Sequence, residues 1–275
     1  MASIEFLLRA ADLPDSSSAK LDAEWLLAAA LGKAPSYLRT WPEREVPPEC
    51  EARFAADLER RRSGEPVAYI LGRQGFWSLE LEVAPHTLIP RPDTELLVET
   101  ALQLLPSTPA QVLDLGTGTG AIALALAHER PAWQLTGVDR VVEAVALATR
   151  NAQRLRLGNV AFRESHWFSA LDSQRFALIV SNPPYIPASD PHLLQGDVRF
   201  EPSSALVAGE DGLDDIRHIV GASASHLVSA GWLLLEHGYD QAAMVRALLA
   251  EGGFTKVESR RDFGGHERIS LGRLP

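Results

Sequence analysis

The sequence is short of cysteine: Cys50 stands alone among 275 residues. That excludes an internal disulfide and any cysteine-built zinc site, and it predicts a reducing, cytoplasmic setting. The eight histidines are scattered, with no His-Glu-x-x-His pair or other ligand spacing, so no metal site is expected. No run approaches the ~18 consecutive apolar residues of a membrane span. The start, Met1 to Arg9, lacks the basic-then-apolar layout of a secretory leader. Positive charge is also scarce: 26 Lys and Arg face 36 Asp and Glu, a net charge of −10. An acidic balance argues against the phosphate backbone of a nucleic acid as the main source of affinity. What remains, 46% apolar and 23% charged residues, is an ordinary compact globular mixture.

Three regions are predicted: a helical domain over 1–73, a β-hairpin linker over 74–88 and an α/β domain over 89–275. In the first, Leu21, Trp25, Leu26, Ala28 and Ala29 recur at helical spacing and the pattern stops at Gly32. A second helix follows Pro47-Pro48 and ends in Arg60, Arg61 and Arg62, which read as cations complementing the helix dipole. In the linker, Phe76, Leu79, Leu81 and Val83 alternate in part with polar residues. From Gln111 strands and helices alternate, which predicts a largely parallel sheet with helices on both faces. Strands are expected over 111–115, 134–138, 160–163, 177–181 and 232–236. Two more, near 254–258 and 267–271, have too short a connection for a crossover and are expected to pair antiparallel.

Asp114-Leu115-Gly116-Thr117-Gly118-Thr119-Gly120 ends a predicted strand and opens a helix, and Asp139 ends the next strand. The glycines permit tight turning and close approach of a ligand, and a terminal carboxylate can accept both hydroxyls of a ribose. Their every-second-residue spacing differs from the Gly-x-Gly-x-x-Gly that seats a pyrophosphate on a helix N-terminus. Asp114 would repel a diphosphate but suits a sulfonium or ammonium group, or it anchors the loop by hydrogen bonds, or both. S-adenosylmethionine is therefore preferred over NAD or ATP.

Ile179-Val180-Ser181 leads at once into Asn182-Pro183-Pro184-Tyr185-Ile186. Two prolines fix φ and remove two backbone donors, giving a stiff loop at the carboxyl edge of the sheet. A planar amide nitrogen is a poor nucleophile that carries two N–H donors. The Asn182 side-chain oxygen and the Pro183 carbonyl are candidate acceptors that would aim it, and these contacts strengthen as the nitrogen becomes positive. Tyr185 is a candidate to cover the flat face of the group. Positioning then carries much of the rate, and no strong general base is required.

These loops resemble those of class I S-adenosylmethionine-dependent methyltransferases. The longer series resembles one family, the bacterial peptide-chain-release-factor glutamine N5-methyltransferases (PrmC/HemK). It runs through Ile70-Leu71-Gly72, Phe76-Trp77, Leu88-Ile89-Pro90-Arg91-Pro92-Asp93-Thr94-Glu95, both loops above, Gly137-Val138-Asp139 and Glu201-Pro202. It continues through Gly212-Leu213 and Leu235-Glu236-His237-Gly238 to Asp262-Phe263-Gly264-Gly265-His266-Glu267-Arg268. Gln74-Gly75 departs from it, since the family has Arg-Glu there. The resemblance implies a Rossmann-like, mostly parallel seven-stranded sheet and a small helical N-terminal domain that assists recognition of the protein substrate. It implies methyl transfer to the glutamine of a release factor's Gly-Gly-Gln motif. The implied cofactor set is Asp114, Gly116, Thr117, Gly118, Thr119, Gly120, Asp139, Trp167 and Asn182, with Asn182, Pro183, Pro184 and Tyr185 at the reacting amide. Trp167 either stacks on adenine or packs in the core. Arg91 and Glu201 read as structural, their charges satisfied by pairing with each other. A monomer is expected, without direct nucleic-acid contact. Methylation of adenine N6 or another nucleobase amino group is the alternative, because the same loop can hold an amino-substituted base; a non-catalytic scaffold is a third.

Overall fold

A computed structural model describes residues 1–275. The chain forms two compact units, Met1–Arg73 with Pro191–Phe200, and Gln74–Asp190 with Glu201–Pro275.

The first unit is built on α1 (Ile4–Ala10), α2 (Ala19–Leu31), α3 (Pro35–Thr40), α4 (Pro48–Arg62) and α5 (Val67–Leu71). Ser3 caps α1 through its hydroxyl, and Gly32 closes α2 in the left-handed conformation at φ 63°. Leu26, Leu27, Ala23, Leu38, Phe54 and Leu58 make its core. The apolar stripe expected of α2 is only partly realised, because Leu21 and Trp25 are exposed whereas Asp22 and Glu24 are buried. Pairing explains the inversion. Asp22 accepts from the hydroxyls of Ser16 and Ser18 and from Arg61 Nε at 2.7 Å, and Glu24 takes Arg39 Nη2 at 2.7 Å. Arg61 is therefore more than a dipole complement. Its side chain is 9% exposed, and its Nη1 reaches Asp197 at 2.7 Å, in the 191–200 segment that a contiguous division of the chain leaves out of this unit.

The second unit begins in a hairpin of β1 (Arg73–Phe76) and β2 (Leu79–Glu82). It continues through α6 (Glu95–Leu104), β3 (Gln111–Leu115), α7 (Ala121–Glu129), β4 (Gln134–Asp139), α8 (Val142–Leu155), β5 (Val160–Glu164) and β6 (Phe176–Ser181). It ends with α9 (Asp214–His226), β7 (Leu227–Glu236), α10 (Ala242–Glu251), β8 (Thr255–Arg261) and β9 (Glu267–Arg273). The seven strands from β3 onward form one sheet in the order β5-β4-β3-β6-β7-β9-β8. All pairs from β5 to β7 are parallel, and β9 joins β7 and β8 antiparallel. Alternation along the strands divides the core. Val112, Leu178, Val180 and Leu234 face one apolar layer, and Leu113, Ile179, Leu233 and Leu235 face the other. α7 is apolar all round, and every residue from Ala121 to Ala127 is buried. From β3 the chain moves outward to β4 and β5, then returns to place β6 on the other side of β3. This is the switch point at which open α/β sheets bind ligands.

Candidate active site

Register places the key residues in a row. Leu115 pairs with Val138 on one side and Ser181 on the other, and Ser181 pairs with Leu235. The next residues, Asp139, Gly116, Asn182 and Glu236, therefore lie side by side along the carboxyl edge of the sheet. A cavity at this edge is lined by Gly116, Thr117, Gly118, Thr119, Asp139, Trp167, Asn182 and Pro184, and also by Phe76, His86, Thr94 and Asp215.

The glycine loop is held from four sides. Gly116 and Thr117 N–H groups both donate to the Val138 carbonyl at 2.9 Å. Gly118 N–H donates to Asp139 Oδ2 at 2.9 Å, while Oδ1 accepts from Val141 N–H at 2.9 Å. The buried Asn151 accepts from Glu82 N–H and donates to the carbonyls of Glu82 and Thr119, joining the hairpin to the loop. Gly116, Gly118 and Gly120 have φ of 71°, 54° and 84°, a path that residues with a Cβ rarely follow. The Trp167 ring lies over Gly116, 3.5 Å from where a Cβ would stand. It also packs against the apolar layer, as the core reading of this residue expects.

Asp114 lies beneath the loop, fully buried and outside the cavity lining. Its Oδ2 accepts from the Thr117 hydroxyl at 2.7 Å and from Ala123 N–H at 3.3 Å, while Oδ1 has no partner. Burial pushes this carboxyl up to about 7, against those two hydrogen bonds and with a smaller push from the Asp139 charge. Gly120 is also outside the lining; it is where the loop meets Leu124, Ala148 and Phe162. Neither position reaches the ligand space directly.

At the second loop, Asn182 Nδ2 donates to Thr94 Oγ1 at 3.1 Å, which leaves Oδ1 for the cavity. Pro184 lines that cavity, Pro183 is buried, and Tyr185 stands behind the loop. The Tyr185 ring packs on the apolar layer and its hydroxyl donates to Glu236 Oε1 at 3.4 Å. Burial, then the neighbouring Glu236 charge, hold the tyrosine above its usual range. Arg91 and Glu201 form an ion pair through Nη2 and Oε1, with the Glu201 side chain wholly covered. Sequence reasoning assigned no role to Thr94, Asn151, Asp215 or His86. Thr94 lay within a recognised motif, whereas the others carried no local signal.

The fold and the two loops at its switch point define a class I methyltransferase. Residues 2–72 match the family model of the PrmC N-terminal domain, and residues 92–194 match that of the methyltransferase small domain. The release factor glutamine methyltransferase of Pseudomonas aeruginosa is 70% identical over 99% of both chains, and that of Salmonella typhimurium is 54% identical over 95% of both. The Thermus thermophilus 16S rRNA N2 G1207 methyltransferase, solved with AdoMet and guanosine, shares the fold. Its TM-score is 0.53 at 21% identity, over 74% of this chain and 50% of that one. The chain belongs to the release factor glutamine methyltransferases. This membership does not favour the nucleobase alternative. No helix is long and apolar enough to cross a membrane.

Proposed function

We propose that this protein transfers a methyl group from S-adenosylmethionine to the side-chain nitrogen of the glutamine in the Gly-Gly-Gln motif of peptide chain release factors. The observation that carries the reading is the Asn182 amide. Its Nδ2 is taken by Thr94, so its oxygen is offered to the same cavity that the glycine loop lines.

The residues present fit the cofactor. Gly116 and Gly118 bring the backbone to the cavity with no Cβ on it, and the Trp167 indole lines the same cavity beside Gly116. Asp139 is held by two backbone donors with further lone pairs for a ribose, and the carboxyls near the edge favour a cation over a diphosphate. Gly116, Thr117, Gly118, Thr119, Asp139, Trp167 and Asn182 would hold it, with Asp114 and Gly120 shaping the loop from beneath. When bound, it supplies an electrophilic methyl carbon on a positively charged sulfur.

Asn182 Oδ1 and the Pro183 carbonyl accept the two N–H groups of the glutamine carboxamide and fix its nitrogen. Positive charge grows on that nitrogen as it attacks, so both hydrogen bonds strengthen in the transition state. The proton that the nitrogen sheds passes to water. Pro184 forms a wall of the site, and Tyr185 stiffens the loop from behind. In the same reading the helical unit assists recognition of the release factor, and the enzyme works in the cytoplasm as a monomer. The test is mass analysis of a release-factor protein after incubation with enzyme and S-adenosylmethionine. One methyl group on the motif glutamine is expected, and none on a Gln→Ala substrate. An unmodified glutamine with methyl transfer to nucleic acid would overturn the reading.

A further inference from the structure

The closing motif Asp262-Phe263-Gly264-Gly265-His266-Glu267-Arg268 takes no part in the chemistry just described. Register fixes where it stands. Glu236, the last residue of β7, pairs with Ile269, and Arg261, the last of β8, pairs with Glu267. The turn between β8 and β9 therefore projects beyond the same carboxyl edge that carries Asn182. β6, β7 and β9 are neighbours in the sheet, so two strand spacings, about 10 Å, separate β9 from the strand that ends at Asn182.

The turn is stiff. Asp262 Oδ1 accepts from His266 N–H at 2.9 Å, and Oδ2 accepts from Arg268 Nε at 3.0 Å. The backbone closes with Asp262 N–H on the His266 carbonyl at 2.9 Å and Gly265 N–H on the Asp262 carbonyl at 3.0 Å. Phe263, at the tip, stands wholly in solvent at 108% exposure. The His266 ring meets Tyr239 edge-on, with centroids 5.8 Å apart, and Tyr239 is itself 64% exposed. Tyr239 sits on a turn fastened to the acceptor loop. The buried Gln241 accepts from Gly238 N–H at 2.8 Å and donates to the Tyr185 carbonyl at 2.9 Å. His237 N–H donates to the Arg268 carbonyl at 2.9 Å, tying this turn to β9 as well. Two exposed aromatic side chains are thus carried on a frame continuous with the Asn-Pro-Pro-Tyr loop.

A phenylalanine held wholly in water contributes nothing to the fold, whereas exposed aromatic anchors on a preorganised frame suit a protein interface. We propose that Tyr239 and Phe263 form a docking surface for the release factor, taking apolar side chains on the chain that flanks its motif glutamine. Continuity with the acceptor loop selects this occupant. With the glutamine side chain at Asn182, an extended chain covers about 3.4 Å per residue, so residues about three or more positions from the glutamine reach β9. This inference rests on the amide-methylating reading above. The surface grips residues that the reaction leaves unchanged, so it stabilises ground and transition states equally and acts on KM, not kcat.

The experiment measures steady-state kinetics on full-length release factor at saturating cofactor, for the wild type, Phe263→Ser, Tyr239→Ser and Phe263→Leu. Cofactor Kd is measured by calorimetry on each. Each serine variant should raise KM for the release factor about tenfold, with kcat and cofactor Kd within about twofold, and Phe263→Leu should recover most of the loss. Phe263→p-benzoylphenylalanine, irradiated with the release factor, should give an adduct within about eight residues of the motif glutamine, located by mass analysis. An unchanged KM in either serine variant, or a loss in kcat instead, overturns the docking role. So does an adduct to a second copy of this chain, to nucleic acid, or to a part of the release factor remote from the glutamine. Each of those results leaves methylation by the wild type in place. A wild type that leaves the release factor unmodified would overturn the functional reading, and this proposal with it.

Discussion

Replacing Asp114 with Asn should make the catalytic unit more stable, by a gap that opens above the ordinary carboxyl value, widens through mild acid and levels off above neutrality. Asp114 is wholly buried, with two donors on Oδ2 and none on Oδ1. An Asn oxygen can keep both donors, and its NH2 then occupies the position where the carboxyl oxygen finds no partner. The substitution is close to isosteric with the protonated acid. The folded carboxyl titrates at about 7 against 3.8 for the ordinary group. The folded value is the higher one, so Asp114 favours folding fully below the unfolded value and loses that contribution as pH rises through 7. Two pH units separate 5 from 7, at about 1.4 kcal/mol each, so the wild type should lose about 3 kcal/mol relative to Asp114→Asn between pH 5 and 8. Urea titrations of both proteins at pH 5, 6, 7 and 8 measure the gap directly. Parallel pH dependences would refute the reasoning, because they would mean that Asp114 stays ionised throughout and its charge is compensated in the fold. A second readout follows by linkage. A cation in the cavity favours the ionised form, so S-adenosylmethionine should bind the wild type more tightly at pH 8 than at pH 6, and Asp114→Asn should show less of that trend.

Asn182→Ala should cut kcat on release factor by about 10²-fold or more while cofactor Kd changes little, because its oxygen serves the transition state; equal losses in both would make it a cofactor anchor. Asp139→Ala removes the acceptor of two loop N–H groups as well as the ribose ligand. Cofactor Kd in calorimetry should rise by roughly 10- to 100-fold. Gly212→Ala should damage the acceptor loop from a distance: the residue sits at φ 75°, and a Cβ there would run into the Tyr185 carbonyl oxygen. A loss on the order of 2 kcal/mol in urea unfolding is expected, with a fall in kcat that exceeds any change in cofactor Kd.

The central sheet was legible because its signals are local. Strand, glycine loop, helix and terminal acid follow one another between Gln111 and Asp139, and two prolines mark the second loop whatever packs around them. The Arg91–Glu201 pair was legible for another reason, since a buried charge needs a counter-charge and few candidates stood nearby in the motifs. The α2 stripe was misread where non-local pairing overrides polarity: Asp22 is buried because Arg61, 39 residues away in sequence, meets it there. The 191–200 segment joins the helical unit through the same arginine, at a separation of 136 residues. Thr94 and Asn151 were missed because each works by a relay across the fold, over 88 residues to Asn182 and 69 to Glu82. A hydroxyl or an amide carries no mark in the sequence of the partner it will find.

Sheet register and chemistry are one constraint in this protein. Leu115 against Ser181 and Ser181 against Leu235 put Asn182 between the glycine loop and Glu236, with its nitrogen toward Thr94. A slip of β6 by one residue would turn every side chain on that strand to the opposite face. Ile179 would exchange layers with Leu178 and Val180, and Asn182 would leave the Thr94 hydroxyl and present neither amide atom to the cavity. The apolar alternation that holds β6 in place therefore also fixes where the Asn182 amide stands at the cavity. Two prolines stiffen the loop itself, and the strand beneath it is fixed on both sides.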